Sequence, residues 1–465
     1  MPAMRSTSAQ GKEARALPAI ELARRIASRK LTARAAVEAC LAYIERRNPH
    51  LNAVVSLDAA AARRQAEAVD AAIARGADVG PLHGVPMTLK DGIDVAGLRT
   101  TIGTAAFDRL ADEDATVAAR LRKAGAIIIG HTNVAPFLAD YQSANEIFGR
   151  TSNPWNVTRT AGGSGGGAAA AVAAGMTPIE IGSDLGGSIR LPAHFCGVYG
   201  LKPTERRVPM TGFFRLPRGA PRTVRILSSL GPLARTLDDL SIALGLISGP
   251  DGVDTEVAPV PLGAEPAVRL TDLRIAFAPS IPGATVASVI RMRVAQVAGN
   301  ASNAGARVEQ RLPHCDWDSA NQLFRDLVTA LTAPQTDRRL DWYLSSLDHR
   351  DRLMAIWDDF FTDIDALIMP AAMTVAFPHC DTGSPVTVDG QSAPYFGQGA
   401  LLAMGNVTGL PSLVAPAGHD EDGLPIGVQL VGPRWSERRL IAICRALETD
   451  GVLPGFVPPP EPAGI

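Results

Sequence analysis

The stretch that decides the fold is Gly162-Gly163-Ser164-Gly165-Gly166-Gly167-Ala168, which runs through an alanine-rich segment over 168–174 and a β-branched segment over 177–181 into Gly182-Ser183-Asp184-Leu185-Gly186-Gly187-Ser188-Ile189-Arg190. A glycine loop feeding a small-residue helix, then a strand ending in a second glycine loop, belongs to an α/β unit that gathers backbone N–H groups at the ends of its elements. Taken alone, such a loop is more often a turn or a phosphate cradle than a catalytic device. The phosphate alternative is poor here. No Gly-Lys-Ser/Thr follows the glycines, and no convincing Gly-x-Gly-x-x-Gly with a later acidic partner is present. Ser164 and Ser188 are weak nucleophiles until a neighbouring base takes a proton, so on their own they read as loop residues.

Around this stretch, residues 17–46 carry apolar side chains at helical spacing (Leu22, Ile26, then Val37, Leu41, Ile44), with Thr32 placed to cap the second of two helices. A third helical segment covers 59–74 and is stopped by Gly76, Gly80 and Pro81. Short β-branched runs at 126–129, 179–181, 274–277, 367–369 and 427–431 alternate with helical stretches, which predicts helices covering a sheet. Residues 249–266 read as a surface connection, and 452–465 as an extended proline-rich tail. Residues 1–16 are expected to be disordered and 17–451 to form one unit: a helical layer over 17–75, a core over 76–205 and a lid over 206–228.

The chain has 465 residues, 46% of them hydrophobic and 20% charged, enough to bury a large core around a cleft. Lys plus Arg number 45 against 47 Asp plus Glu, a formal charge of -2, so no global field draws nucleic acid or an anionic membrane. Five scattered cysteines without Cys-x-x-Cys spacing argue against a disulfide framework or a zinc site. Residues 1–15 lack the apolar run of a secretory signal, and 167–176 is too short to span a bilayer, so a cytoplasmic protein without membrane or nucleic-acid partners is expected.

A third segment, His83-Gly84-Val85-Pro86-Met87-Thr88-Leu89-Lys90-Asp91, completes a pattern that resembles the amidase signature. Asn153-Pro154, Pro192-Ala193 with Cys196-Gly197, Gly200-Leu201-Lys202-Pro203-Thr204 and Gly423-Leu424-Pro425-Ile426-Gly427-Val428-Gln429 extend the resemblance over nearly the whole chain. It implies an α/β/α sandwich around a mixed central sheet, preceded by N-terminal helices, with no metal and no cofactor. It also implies a hydrolase of C–N acyl bonds in amides, anilides or carbamates, a urethanase among them. Ser188 would be the nucleophile, Ser164 a relay following a cis peptide bond, and Lys90 the base. Backbone N–H groups of Leu185, Gly186, Gly187 and Ser188 would form the oxyanion hole, and Asp184 and Arg190 would brace the loop. For Lys90 to act near neutrality, burial beside Val85, Met87 and Leu89 must lower its pKa from about 10.4.

Phe137, Tyr141, Phe213, Phe214 and Phe396, with Gln398 as a polar contact, are candidates for a pocket taking a bulky uncharged substrate. His83 and His194 read as interior histidines, and Cys196 as core. Arg206, Arg207, Arg215, Arg218, Arg222 and Arg225 read as a solvated run, or as a lid whose arginines face water. Two departures from the family pattern stand out: Gly165 and Ala168 replace serines, removing a hydroxyl near the relay and loosening the loop, and Pro136 stands where many members carry an acidic residue. The alternatives are the amidase component of a transamidation complex and a non-catalytic binding protein that keeps the fold; a homodimer is expected on general frequency.

Overall fold

The computed structural model describes residues 14–77, 80–215, 224, 226–332 and 339–461. Its centre is an 11-stranded sheet built from β1 (Val54–Leu57), β2 (Pro86–Lys90), β3 (Ile127–Thr132), β4 (Ile179–Asp184), β5 (Tyr199–Lys202), β6 (Ser229–Ala234), β7 (Arg274–Phe277), β8 (Arg307–Gln310), β9 (Ala366–Pro370), β10 (Ser412–His419) and β11 (Pro425–Val431). Their spatial order is β1-β3-β2-β4-β6-β5-β10-β11-β9-β7-β8. Strand β2 runs parallel to β3 and β4, and β7 parallel to β8 and β9. The other neighbours are antiparallel, which makes the sheet mixed, as the family resemblance implies.

Each predicted strand is present, with its ends shifted by at most three residues. Strand β6 carries Gly231 and Pro232, poor strand formers, in its middle. Its glycine is a packing requirement: a Cβ at Gly231 would stand 2.1 Å from the Leu201 carbonyl oxygen.

The N-terminal helices are α1 (Ala19–Ala27), α2 (Ala33–Leu51) and α3 (Ala59–Ala74). Thr32 caps α2 by accepting the Ala35 N–H at 3.0 Å, and Asp58 caps α3 by accepting that of Ala61 at 2.8 Å. The stretch expected to be disordered is in part helical. Residues 14–16 form a helical turn, with Ala14 buried and the Arg15 guanidinium 3.6 Å over the Tyr43 ring; residues 1–13 lie outside the described residues. Over 452–461 the tail has no helix or strand, and Arg15 and Glu461 tie the two ends at 2.6 Å.

Helix α4 (Gly166–Ala173) is wholly buried and packs against β2, β4 and β6. Its Ala and Gly residues let backbone approach backbone, which brings the glycine loop at its start up to the ends of β2 and β4. Helix α5 (Arg190–Cys196), also buried, follows the second glycine loop, and α6 (Gln398–Val407) packs its Leu402 beside that loop. Among the described residues no helix is long and apolar enough to cross a membrane.

Candidate active site

Three chain segments meet where β2 and β4 end. Lys90 is the last residue of β2 and is fully buried; its Nζ lies 2.8 Å from Ser164 Oγ, 3.0 Å from Ser183 Oγ and 3.3 Å from the Ser183 carbonyl oxygen. Ser164 Oγ is 3.0 Å from Ser188 Oγ, which also accepts the Ser164 N–H at 3.1 Å. The peptide bond between Gly163 and Ser164 is cis. Hydroxyl hydrogens rotate, so the same contacts serve a chain in which Ser188 donates to Ser164 and Ser164 to a neutral Lys90.

The glycines are where backbone must come close. A Cβ at Gly163 would sit 2.4 Å from the Asp140 carbonyl oxygen, and one at Gly165 2.6 Å from that of Ser188. The expected loosening at Gly165 is therefore corrected: the position is closely packed against the backbone of Ser188. Ser143 also braces the loop, donating to the Ser164 carbonyl at 3.0 Å and accepting the Gly166 N–H at 2.8 Å.

Electrostatics follow from burial. Desolvation brings the Lys90 amine down to about 7, although Asp184, Glu180 and Asp91 act to raise it. Burial alone would raise Asp184, but the Arg190 guanidinium and Asn406 hold its carboxyl well below the usual range. Both members of that pair are fully buried. Asp184 accepts from Gly187 N at 2.9 Å, Ile189 N at 3.2 Å and Arg190 Nε at 3.0 Å, so it braces the second loop from inside. This corrects the expectation for the oxyanion hole at one position: the Gly187 N–H is donated to the Asp184 carboxylate. The N–H groups of Leu185, Gly186 and Ser188 make no hydrogen bond among the described residues.

A cavity of 370 Å³ opens beside the serines, with Ser164, Ser183 and Leu185 at its base and Phe137, Met210, Phe213 and Phe214 on its walls. The Phe107 ring lies 5.9 Å from that of Phe137 and 5.8 Å from that of Phe214, extending the aromatic wall outward. Three of the six candidate pocket residues, Phe137, Phe213 and Phe214, line this cavity. Tyr141 instead flanks the second glycine loop, its hydroxyl 4.0 Å from where a Gly186 Cβ would stand. Phe396 is an exposed ring set edge-to-face against Tyr395. Gln398 does not line the cavity: it is fully buried and its Oε1 accepts the Met373 N–H at 2.7 Å.

The basic run is likewise mixed. Arg207 does not face water; it is buried against Glu437 at 3.0 Å and lies 4.6 Å over the Trp435 ring. Arg206 is half-exposed, Arg215 reaches Asp112 at 3.1 Å, and Arg218, Arg222 and Arg225 lie outside the described residues. Burial lowers His194 to about 4, and its Nδ1 meets the backbone of Gly427, while burial raises the Cys196 thiol. Both are interior residues. His83 is buried too. Among the described residues no group of three or more His, Cys, Asp or Glu is placed to hold a metal.

The sequence reading missed Ser183, Ser143, Glu180 and Asn406. Ser183 stands in the quoted motif, but its side-chain contact with Lys90 depends on strand pairing that no spacing reveals.

The amidase family model matches residues 35–332 and 318–441. The chain is 34% identical to a putative amidase, AmiB2, of Mycobacterium tuberculosis, covering 92% of this chain and 94% of that protein. It is 32% identical to a glutamyl-tRNA(Gln) amidotransferase subunit of a Synechococcus strain, covering 90% and 94%. Among solved structures, a bacterial aryl acylamidase of the amidase-signature enzymes superposes with a TM-score of 0.83 at 26% identity, covering 94% of this chain and 97% of that one. These matches and the geometry at β2 and β4 agree: the chain belongs to the amidase-signature family, hydrolases of C–N bonds.

Proposed function

We propose that this protein hydrolyses the C–N acyl bond of a small aryl-bearing amide or carbamate through an acyl-enzyme on Ser188. The observation that carries this is the continuous path from Lys90 Nζ through Ser164 Oγ to Ser188 Oγ, at 2.8 Å and 3.0 Å, ending on a buried lysine. With its pKa at about 7, Lys90 is available as neutral amine near neutrality. It takes the Ser164 proton as Ser164 takes that of Ser188, and Ser188 Oγ bonds to the substrate's acyl carbon. The resulting oxyanion is met by N–H groups of Leu185, Gly186 and Ser188, each worth about 3 kcal/mol of barrier. The proton returns along the path to the leaving nitrogen and the C–N bond breaks. Water then follows the same route to clear the acyl group.

The aromatic cavity walls favour a flat, uncharged substrate such as an anilide or an N-aryl carbamate, and the likeness to an aryl acylamidase is consistent with it. A second reading, a component of a transamidation complex, is favoured by the 32% identity to the amidotransferase relative; it requires a partner protein for activity. The test is aromatic-amine release by the purified chain from a matched anilide and N-aryl carbamate, with Ser188→Ala as blank. Release lost in the variant is expected, and the ratio of the two rates names the substrate class. Turnover only after a partner protein is added would favour the second reading.

A further inference from the structure

Below the lysine lies a carboxyl group that the relay does not use. Glu180 is fully buried on β4, where strand register sets it opposite Thr88 of β2, while Lys90 of β2 stands opposite Thr132 of β3. Thr132 Oγ1 donates to Glu180 Oε1 at 2.8 Å, Thr88 Oγ1 donates to Oε2, and the Thr88 hydroxyl is 3.3 Å from that of Thr177. Side chains two apart on a strand share a face, so Thr88 and Lys90 lie on one side of β2. Among the described residues no lysine, arginine or histidine bonds the Glu180 carboxyl. Two neutral hydroxyls are weak compensation for a buried carboxylate, which therefore favours its protonated form.

The charges around the two groups are few. Lys90 is the charge acting on Glu180, and the Gly and Ala residues of α4 packed on β4 bring none. Around Lys90 stand Glu180, Asp184 and Asp91; Asp184 is engaged by Arg190, and Asp91 by the N–H of Thr101 at 2.8 Å and its hydroxyl. Burial raises Glu180 to about 8 as it lowers Lys90 to about 7, so their titrations overlap.

We infer that Glu180 is a positioning residue that shares one proton with Lys90 and so sets the pH at which the lysine serves as base. The balance is ammonium plus carboxylate against amine plus carboxylic acid, with no other reactant. When Glu180 is ionised it holds Lys90 as ammonium; when it keeps the proton it leaves the lysine free to accept one from Ser164. The inference rests on the hydrolase reading above.

The test is the rate of Ser188 labelling by a fluorophosphonate as a function of pH, for wild type, Glu180→Gln and Thr132→Val, with thermal melts recorded alongside. Glu180→Gln keeps the shape and removes the ionised form; because the two titrations overlap, the share of wild type that is carboxylate plus ammonium is lost, and the midpoint of the acid limb is expected to fall by about half a pH unit. Thr132→Val withdraws a donor from the carboxylate, favours its protonated form and moves the limb the same way by less. It decides the matter alone if Glu180→Gln does not fold. A folded, labelled variant whose limb stays at the wild-type midpoint overturns the inference. A wild-type protein that takes no label at all refutes instead the hydrolase reading on which it rests.

Discussion

Replacing Asp184 by Asn keeps the shape of the side chain and removes one charge from a fully buried pair. The Arg190 guanidinium keeps its contacts with the Gln429 Oε1 at 2.7 Å and the Leu402 carbonyl at 3.0 Å but loses its carboxylate partner, and an amide N–H replaces one of the oxygens that accept from Gly187, Ile189 and Arg190. Breaking one side of a buried pair costs about 3 to 5 kcal/mol. Unfolding entropy of about 2.1 cal/mol/K per residue, over 465 residues, amounts to roughly 1 kcal/mol/K, so calorimetry should find the melting temperature lower by about 3 to 5 °C. Activity should suffer more than stability, because Gly187 and Ile189 flank the nucleophile and their N–H groups are what Asp184 holds. Losing alignment of even one oxyanion donor gives a fall in kcat of about 10²-fold. Arg190→Met, and the double variant with Asp184→Asn, complete a cycle in which the double variant is less destabilised than the sum of the singles. Additive losses, or an Asp184→Asn protein with a wild-type melt and a rate within threefold, would refute the idea that this pair builds the loop. Asp184 has a folded pKa below its unfolded value, so its contribution is fully present above about pH 4 and is lost only as pH falls through the lower folded value.

Lys90→Met should abolish amine release, and its effect on stability should depend on pH. The folded lysine titrates at about 7 and the unfolded one near ~10.4, so folding expels a proton between those values. The variant is therefore expected to gain stability over wild type most at pH 6, with the gain fading towards pH 10; a gain independent of pH would contradict the lowered pKa. Phe214→Ala removes one wall of the cavity and should raise KM for anilides about tenfold, with little change for a small aliphatic amide. Equal losses on both substrates would point to a folding defect and away from recognition.

The contact path from Lys90 through Ser164 to Ser188 was legible in the sequence because each sits in a motif whose order is specified by local backbone: a strand end, a glycine loop and a second glycine loop. The same holds for Asp184 and Arg190, six residues apart and joined through one turn. Features that depend on strand register were not legible. Ser183 and Glu180 lie within the quoted stretch, yet what they touch is decided by β2 and β3 sliding against β4, which neither spacing nor residue type reveals. The pocket divides along the same line. Phe213 and Phe214 reach the cavity because backbone pairing with Ile93 and Gly92 draws their segment across the site. Gln398 fails because the start of α6 turns its side chain inward to the Met373 backbone. Arg207 fails for a related reason: its partner Glu437 is distant in sequence, and only the closed fold turns a residue of a basic run into a buried one. Local chemistry thus brought Lys90, Ser164 and Ser188 together, and sheet register decided which further groups stand beside them. On the inference that Glu180 shares a proton with Lys90, the pH at which this site works is a property of the register between β2, β3 and β4.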